Sequence, residues 1–78
     1  NPFNPVTNIS FEISTNSLIS LKIYDVSGKL INTLLSDIEY NSGYYSVSFN
    51  GSNLSSGIYF YNLEVNGISY IKKMSLIK

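Results

Sequence analysis

A chain of 78 residues makes one domain at most, and at this length folding buries only about 60% of the surface the unfolded chain exposes. Five lysines balance five acidic residues, and arginine, histidine and cysteine are absent. That excludes the basic footprint of a nucleic-acid binder, disulfides, thiol chemistry, imidazole catalysis and Cys/His zinc sites.

Hydrophobic residues reach 44%, with ten isoleucines, seven tyrosines and no alanine, a balance that favours strand over helix. In chain order, the prolines at 2 and 5 hold Asn1 and Asn4 extended, so residues 1–5 form a turn-rich lead-in. Strict alternation follows, with Ile9, Phe11 and Ile13 on one face and Asn8, Ser10 and Glu12 on the other. This predicts a half-buried strand. A polar turn over Ser14–Ser17 leads into a second alternating run, with Ile19, Leu21 and Ile23 inward and Ser20, Lys22 and Tyr24 outward. Asp25-Val26-Ser27-Gly28 closes it as a tight turn, its glycine supplying the left-handed conformation such turns often need.

From Lys29 to Leu35 the apolar positions are 30, 31, 34 and 35, which fit a helical face better than a strand. Two helical turns isolated among strands would be marginal, so a strand is expected there, followed by a loop over Asp37–Gly43. Tyr45, Val47 and Phe49 form the next face, ended by the turn cluster Asn50-Gly51-Ser52-Asn53. Gly57 opens a strand through Val65, with Tyr59, Tyr61, Leu63 and Val65 on the core side. Asn66-Gly67 between two alternating runs is the preferred two-residue hairpin turn. The returning strand, Ile68–Ile77, carries Ile68, Tyr70, Met74 and Leu76 on one parity. Lys72 interrupts that face, so either its ammonium snorkels to the rim or a bulge shifts the register. Gly28, Gly43, Gly57, Asn66 and Gly67 are thereby assigned structural roles at the ends of strands. Six or seven short strands with regularly spaced turns predict an all-β, antiparallel sandwich.

The chemistry is sparse. Glu12 and Glu64 fall on outward faces of separate strands, and Asp25, Asp37 and Glu39 fall in turns. A glycosidase pair needs two carboxylates about 5–9.5 Å apart in a cleft, and no Gly-x-Ser-x-Gly motif occurs. No catalytic residue and no cofactor is expected. Asp25 to Gly28 faintly resembles an acidic calcium loop, but one carboxylate plus carbonyls is too few hard oxygens. The sequons at Asn8, Asn50 and Asn53 are near the number chance supplies in so Asn- and Ser-rich a chain. Tyr24, Tyr40 and Tyr44, on outward or loop positions, are the candidates for a sugar-stacking platform, against the plainer reading of cross-strand aromatic pairs. No apolar run approaches the roughly 20 residues of a spanning helix, so membrane insertion is not expected. A start without Met or a leader reads as part of a longer polypeptide.

Several segments, taken together and in order, resemble a known family. Asn1-Pro2-Phe3-Asn4-Pro5 before a strand, Leu21-Lys22-Ile23-Tyr24-Asp25-Val26-Ser27-Gly28-Lys29, Gly43-Tyr44-Tyr45, Leu54-Ser55-Ser56-Gly57-Ile58-Tyr59-Phe60-Tyr61 and the close Lys72-Lys73-Met74-Ser75-Leu76-Ile77-Lys78 are similar to the type A C-terminal sorting domains of the type IX secretion system. The match covers essentially the whole chain, 1–78. It departs from the usual pattern in having Asn62, and no arginine, near the Tyr-Phe-Tyr strand. The Ig-like domain of flagellar hook-capping proteins has similar hairpins.

The resemblance implies an Ig-like β-sandwich at the C-terminus of a larger secreted protein of a Gram-negative bacterium. Such a domain folds in the periplasm and is read by the outer-membrane translocon. A cysteine-protease sortase then usually removes it, and the cargo is anchored at the cell surface or released. Lys78 would be the parent's last residue. The expected recognition residues are Lys72, Lys73, Leu76, Ile77 and Lys78, because a terminal edge strand can be read through its backbone and charges together. Against this stands an ordinary edge strand whose lysines only prevent aggregation. The alternatives to a sorting signal are a carbohydrate-binding module and a purely structural Ig-like accessory module.

Overall fold

The computed structural model describes residues 6–77; the expected lead-in over residues 1–5, and Lys78, lie outside them. The alternating runs become six strands: β1 (Val6–Ile13), β2 (Ser17–Asp25), β3 (Leu30–Tyr40), β4 (Gly43–Asn50), β5 (Gly57–Val65) and β6 (Ile68–Leu76). All pairings are antiparallel. They make a two-stranded sheet, β1-β4, and a four-stranded sheet in the order β3-β2-β5-β6. The described chain is therefore all-β, compatible with an Ig-like sandwich.

The core follows the alternation. β2 has a hydrogen-bonded neighbour on each edge, and its inward residues Ile19, Leu21 and Ile23 are 0% exposed. Ile9 of β1 and Phe49 of β4 close over Leu21 and Ile23 from the second sheet. Ile31, Leu34, Leu35, Val47, Leu54, Tyr61, Leu63 and Met74 pack round them. Full burial of one such side chain stabilises the fold by about 1.5–3 kcal/mol.

β3 departs from expectation in length. It continues through Asp37 to Tyr40, so the expected seven-residue loop shrinks to Asn41 and Ser42. The cause is a set of bulges. Seven steps along β2, Ser17 to Tyr24, lie against ten along β3, Tyr40 to Leu30, with three register shifts between. Each extra residue resets the alternation, so apolar residues arrive in adjacent pairs, Leu30-Ile31 and Leu34-Leu35, which mimics helical spacing. One irregularity also reverses an expectation for β2. Ser20 is on the outward parity yet buried, because its Oγ accepts from Asp37 N–H (2.9 Å) and its hydroxyl donates to Asp37 Oδ1 (3.1 Å). Asp37 there holds a φ of 48°, so a side-chain hydroxyl takes the place of a ladder bond where the chain bulges.

The β5–β6 hairpin turns on Asn66 (φ 51°) and Gly67 (φ 85°), a type I′ pair whose twist matches that of the strands. Asn66 also fastens the hairpin to β2. Its N–H donates to Leu18 O (2.9 Å), and its Oδ1 accepts from Leu18 N–H (2.9 Å). Space is open around the position a Cβ on Gly67 would occupy, so a substitution there is opposed by backbone conformation alone. Gly67→Val should lower stability by about 1–3 kcal/mol, as expected for a β-branched residue forced to positive φ. Urea denaturation of the two proteins measures it; equal midpoints would show that the hairpin does not depend on this turn.

Candidate recognition edge

Among the described residues the last strand, β6, pairs on one side, with β5. Its register with β5 runs unbroken from Val65↔Ile68 to Gly57↔Leu76, so there is no bulge at Lys72. Lys72 instead keeps the inner parity of Tyr70 and Met74 and is exposed, which realises the rim alternative. Lys73, opposite Phe60, is exposed on the outer face. The two ammonium groups are thus neighbours in sequence but on opposite sides of the sheet. Leu76 is half-buried. Its methyl carbons lie 3.1 and 3.2 Å from where a Cβ on Gly51 would sit, so the bare backbone of Gly51 makes room for this end of β6. Ile77 lies beyond the strand and is 65% exposed. Of the expected recognition residues, the described ones run from the middle of β6 to just past its end and divide by environment: Leu76 is packed, while Lys72, Lys73 and Ile77 meet solvent.

Ile68 and Tyr70 share the parity of Met74 and Leu76 but not their burial. They are 60% and 52% exposed. Two strands cannot cover four, and the β1-β4 sheet stops short of the β6 hairpin end. An open groove of about 420 Å³ is left between β1 and the β5–β6 hairpin, lined among others by Phe11, Ile13, Leu63, Val65, Tyr70 and Lys72. Alternation reports which face a residue takes, not whether anything covers that face. The lysine at 72 was the one local sign that this stretch is wet.

The candidate sugar-platform tyrosines are not brought together. Tyr24 is level with Phe60 on the outer face of the four-stranded sheet. Tyr40 stacks on Tyr45 (centroids 4.6 Å apart) and Phe11 (6.0 Å), joining the two sheets. Tyr44 stands alone, 82% exposed. Ser69 and Lys72 have a spacing that on a helix would bring a hydroxyl to an amine; on β6 it sends them to opposite faces.

A protein-family model described as the secretion system C-terminal sorting domain matches residues 1–78. The chain belongs to that family. No curated protein and no solved structure matches it. Members are type IX sorting signals rather than catalysts, carried by parent proteins that cross the outer membrane to the cell surface or the medium.

In this sorting domain the Asp25 loop is a self-satisfied turn. Asp25 Oδ1 accepts from Ser27 N–H (2.9 Å), Ser27 O–H (2.7 Å) and Lys29 N–H (3.0 Å), while Gly28 N–H donates to Asp25 O (3.0 Å). Among the described residues no group of acidic side chains is placed to hold a metal ion. The Ser27 hydroxyl, then the Lys29 N–H, hold the Asp25 carboxyl below its usual value of 3.8. A carboxyl lowered on folding contributes stability above its unfolded value and loses it as pH falls through the folded one. Asp25→Asn should therefore show a flatter fall in urea midpoint than the parent as pH drops from about 5 to about 2. Parallel profiles would mean the turn does not use the charge.

Proposed function

We propose that the chain is a single, non-catalytic C-terminal sorting domain of a larger secreted protein, read at the outer-membrane translocon through the edge strand β6. It folds in the periplasm, presents Lys72, Lys73, Ile77 and Lys78 to the translocon, and is removed by the sortase after export. Membership of the sorting-domain family supports the assignment as a signal. The observation that carries the choice of site is the state of the edge itself. β6 is nine residues long, regular and largely exposed, and among the described residues no strand pairs its outer side. A regular open edge is a ready template for another chain, which proteins ordinarily blunt. Leu76 serves this reading by anchoring the strand end over Gly51, which gives it a positioning role.

A reporter behind a signal peptide, carrying this domain at its C-terminus in a bacterium with the type IX system, separates address from architecture. Substituting Lys72, Lys73 and Lys78 with glutamine keeps long polar side chains, and exposed sites of this kind usually change stability by no more than about 0.5 kcal/mol each. The parent fusion should reach the surface and the triple variant should accumulate in the periplasm with an unchanged denaturation midpoint. Deleting residues 77–78 keeps the Leu76 anchor and should also reduce export. Folded variants exported like the parent would remove this terminus from the signal. A parent fusion held in the periplasm would show that the domain does not suffice for export.

A further inference from the structure

The two edges of the four-stranded sheet differ in both geometry and charge. β3 is bulged three times along its pairing with β2, carries Asp37 and Glu39, and holds no lysine. β6 is unbulged, carries Lys72 and Lys73, and holds no acid. Bulges twist an edge away from pairing, whereas a straight edge guarded only by lysines is closed chiefly to strands of like charge.

The backbone of β6 has a definite outward set. Asn66 N–H donates to Leu18 O, so the even-numbered backbone groups at this end of β5 point to β2 and the odd-numbered ones point to β6. The closing pair of the hairpin, Val65↔Ile68, is then a hydrogen-bonded pair, as a two-residue I′ turn requires. Alternation along the unbroken register turns the N–H and C=O groups of Ser69, Ile71, Lys73 and Ser75 outward.

From this geometry we infer that the partner reading β6 is an extended acidic segment that adds to the sheet as a fifth strand. It would bond to the outward groups of Ser69, Ile71, Lys73 and Ser75, and set two adjacent carboxylates, one on each face, beside Lys72 and Lys73. The charge pattern selects the chemistry: a neutral strand gains only the ladder, a basic one is repelled, and an acidic one gains both. On the inner face its apolar side chains would meet Tyr70 and Ile68, which the β1-β4 sheet leaves exposed. A second copy offering its acidic β3 has complementary charge but lacks a regular edge, and is the competing occupant.

The inference rests on the reading of β6 as the recognised edge, and a binding experiment separates the two. The probe is a nine-residue peptide of alternating threonine and valine with two adjacent glutamates at its centre, added to the 78-residue chain at low salt. NMR-detected amide exchange should show new protection at Ser69, Ile71, Lys73 and Ser75, with Tyr70, Lys72 and Met74, already bonded to β5, unchanged. Replacing the two glutamates with glutamine, or Lys72 and Lys73 with glutamine, should weaken binding about three- to tenfold, less as salt rises. Ile71→Pro removes one outward donor that the β5 ladder does not use, and should abolish protection; should it unfold the domain, the lysine variants carry the test.

Protection on β1 or β4, equal binding of the glutamine peptide, or concentration-dependent dimerisation through β3 in place of peptide binding would each overturn the inference. Peptide binding as expected with export untouched by the lysine substitutions would keep this inference and defeat the sorting role of β6. Lost export without peptide binding would do the reverse.

Discussion

Ile19, Leu21 and Ile23 of β2 lose all exposure to water, and the other elements are arranged around that burial. Apolar side chains on one parity need a cover, and for Leu21 and Ile23 β1 and β4 supply it with Ile9 and Phe49. The backbone between them needs partners on both edges, which β3 and β5 supply. A strand satisfied on three sides is the natural centre of a domain too small for a second core. Departures differ on its two sides: β3, directly beside it, is bulged three times along their pairing, whereas β6, one strand further out on the other side, keeps a regular register but is largely exposed.

The same constraint explains why the proposed recognition edge is where it is. A two-stranded cover shields β2 and part of β5, and it runs out before the hairpin end of β6. That shortfall leaves Ile68, Tyr70 and Lys72 in solvent on the inner side while Lys73 faces solvent on the other. A β6 covered on its inner face could not hold Lys72 there without burying an unpaired charge. The hairpin is held by the ladder of β5 on β2 and by Tyr61, Leu63 and Met74 on the core, and its ends are fixed further where Asn66 bonds twice to Leu18 and Leu76 seats against Gly51. The strand is thus laddered to β5 along its whole length and packed on the core at Met74, with its outer edge unpaired among the described residues.

Polar side chains repair the fold at several points where the ladder is interrupted. Ser20 bonds Asp37 across the β3 bulge, Asp25 Oδ1 gathers three donors in the β2–β3 turn, and Asn16 Oδ1 accepts from Ser42 N–H (3.1 Å) where the two sheets connect. This gives Ser20 and Asn16, like Asp25, a structural role: short acceptors close to the backbone satisfy groups that bulges and turns would otherwise leave open. The exception among buried side-chain atoms of the described residues is Asn62 Oδ1, which is without a partner and for which the structure offers no explanation.

What the amino-acid order determined by itself was local. Period-two alternation placed β1, β2, β4 and β5 and assigned their inward faces, because a strand's side chains alternate whatever it packs against. Asn66-Gly67 located the hairpin, since two consecutive positive φ values admit few residues. The ordered motifs pointed to the sorting-domain family across the whole chain. The extent of β3 was not legible, because three bulges scramble its period and the reason for them lies in its pairing with β2. Nor was the burial of Ser20, which depends on the residue across the ladder. For β6 the parity of every residue could be read, but its exposure could not. How far a two-stranded sheet reaches across a four-stranded one is set by packing between distant segments, and no spacing within Ile68–Leu76 encodes it.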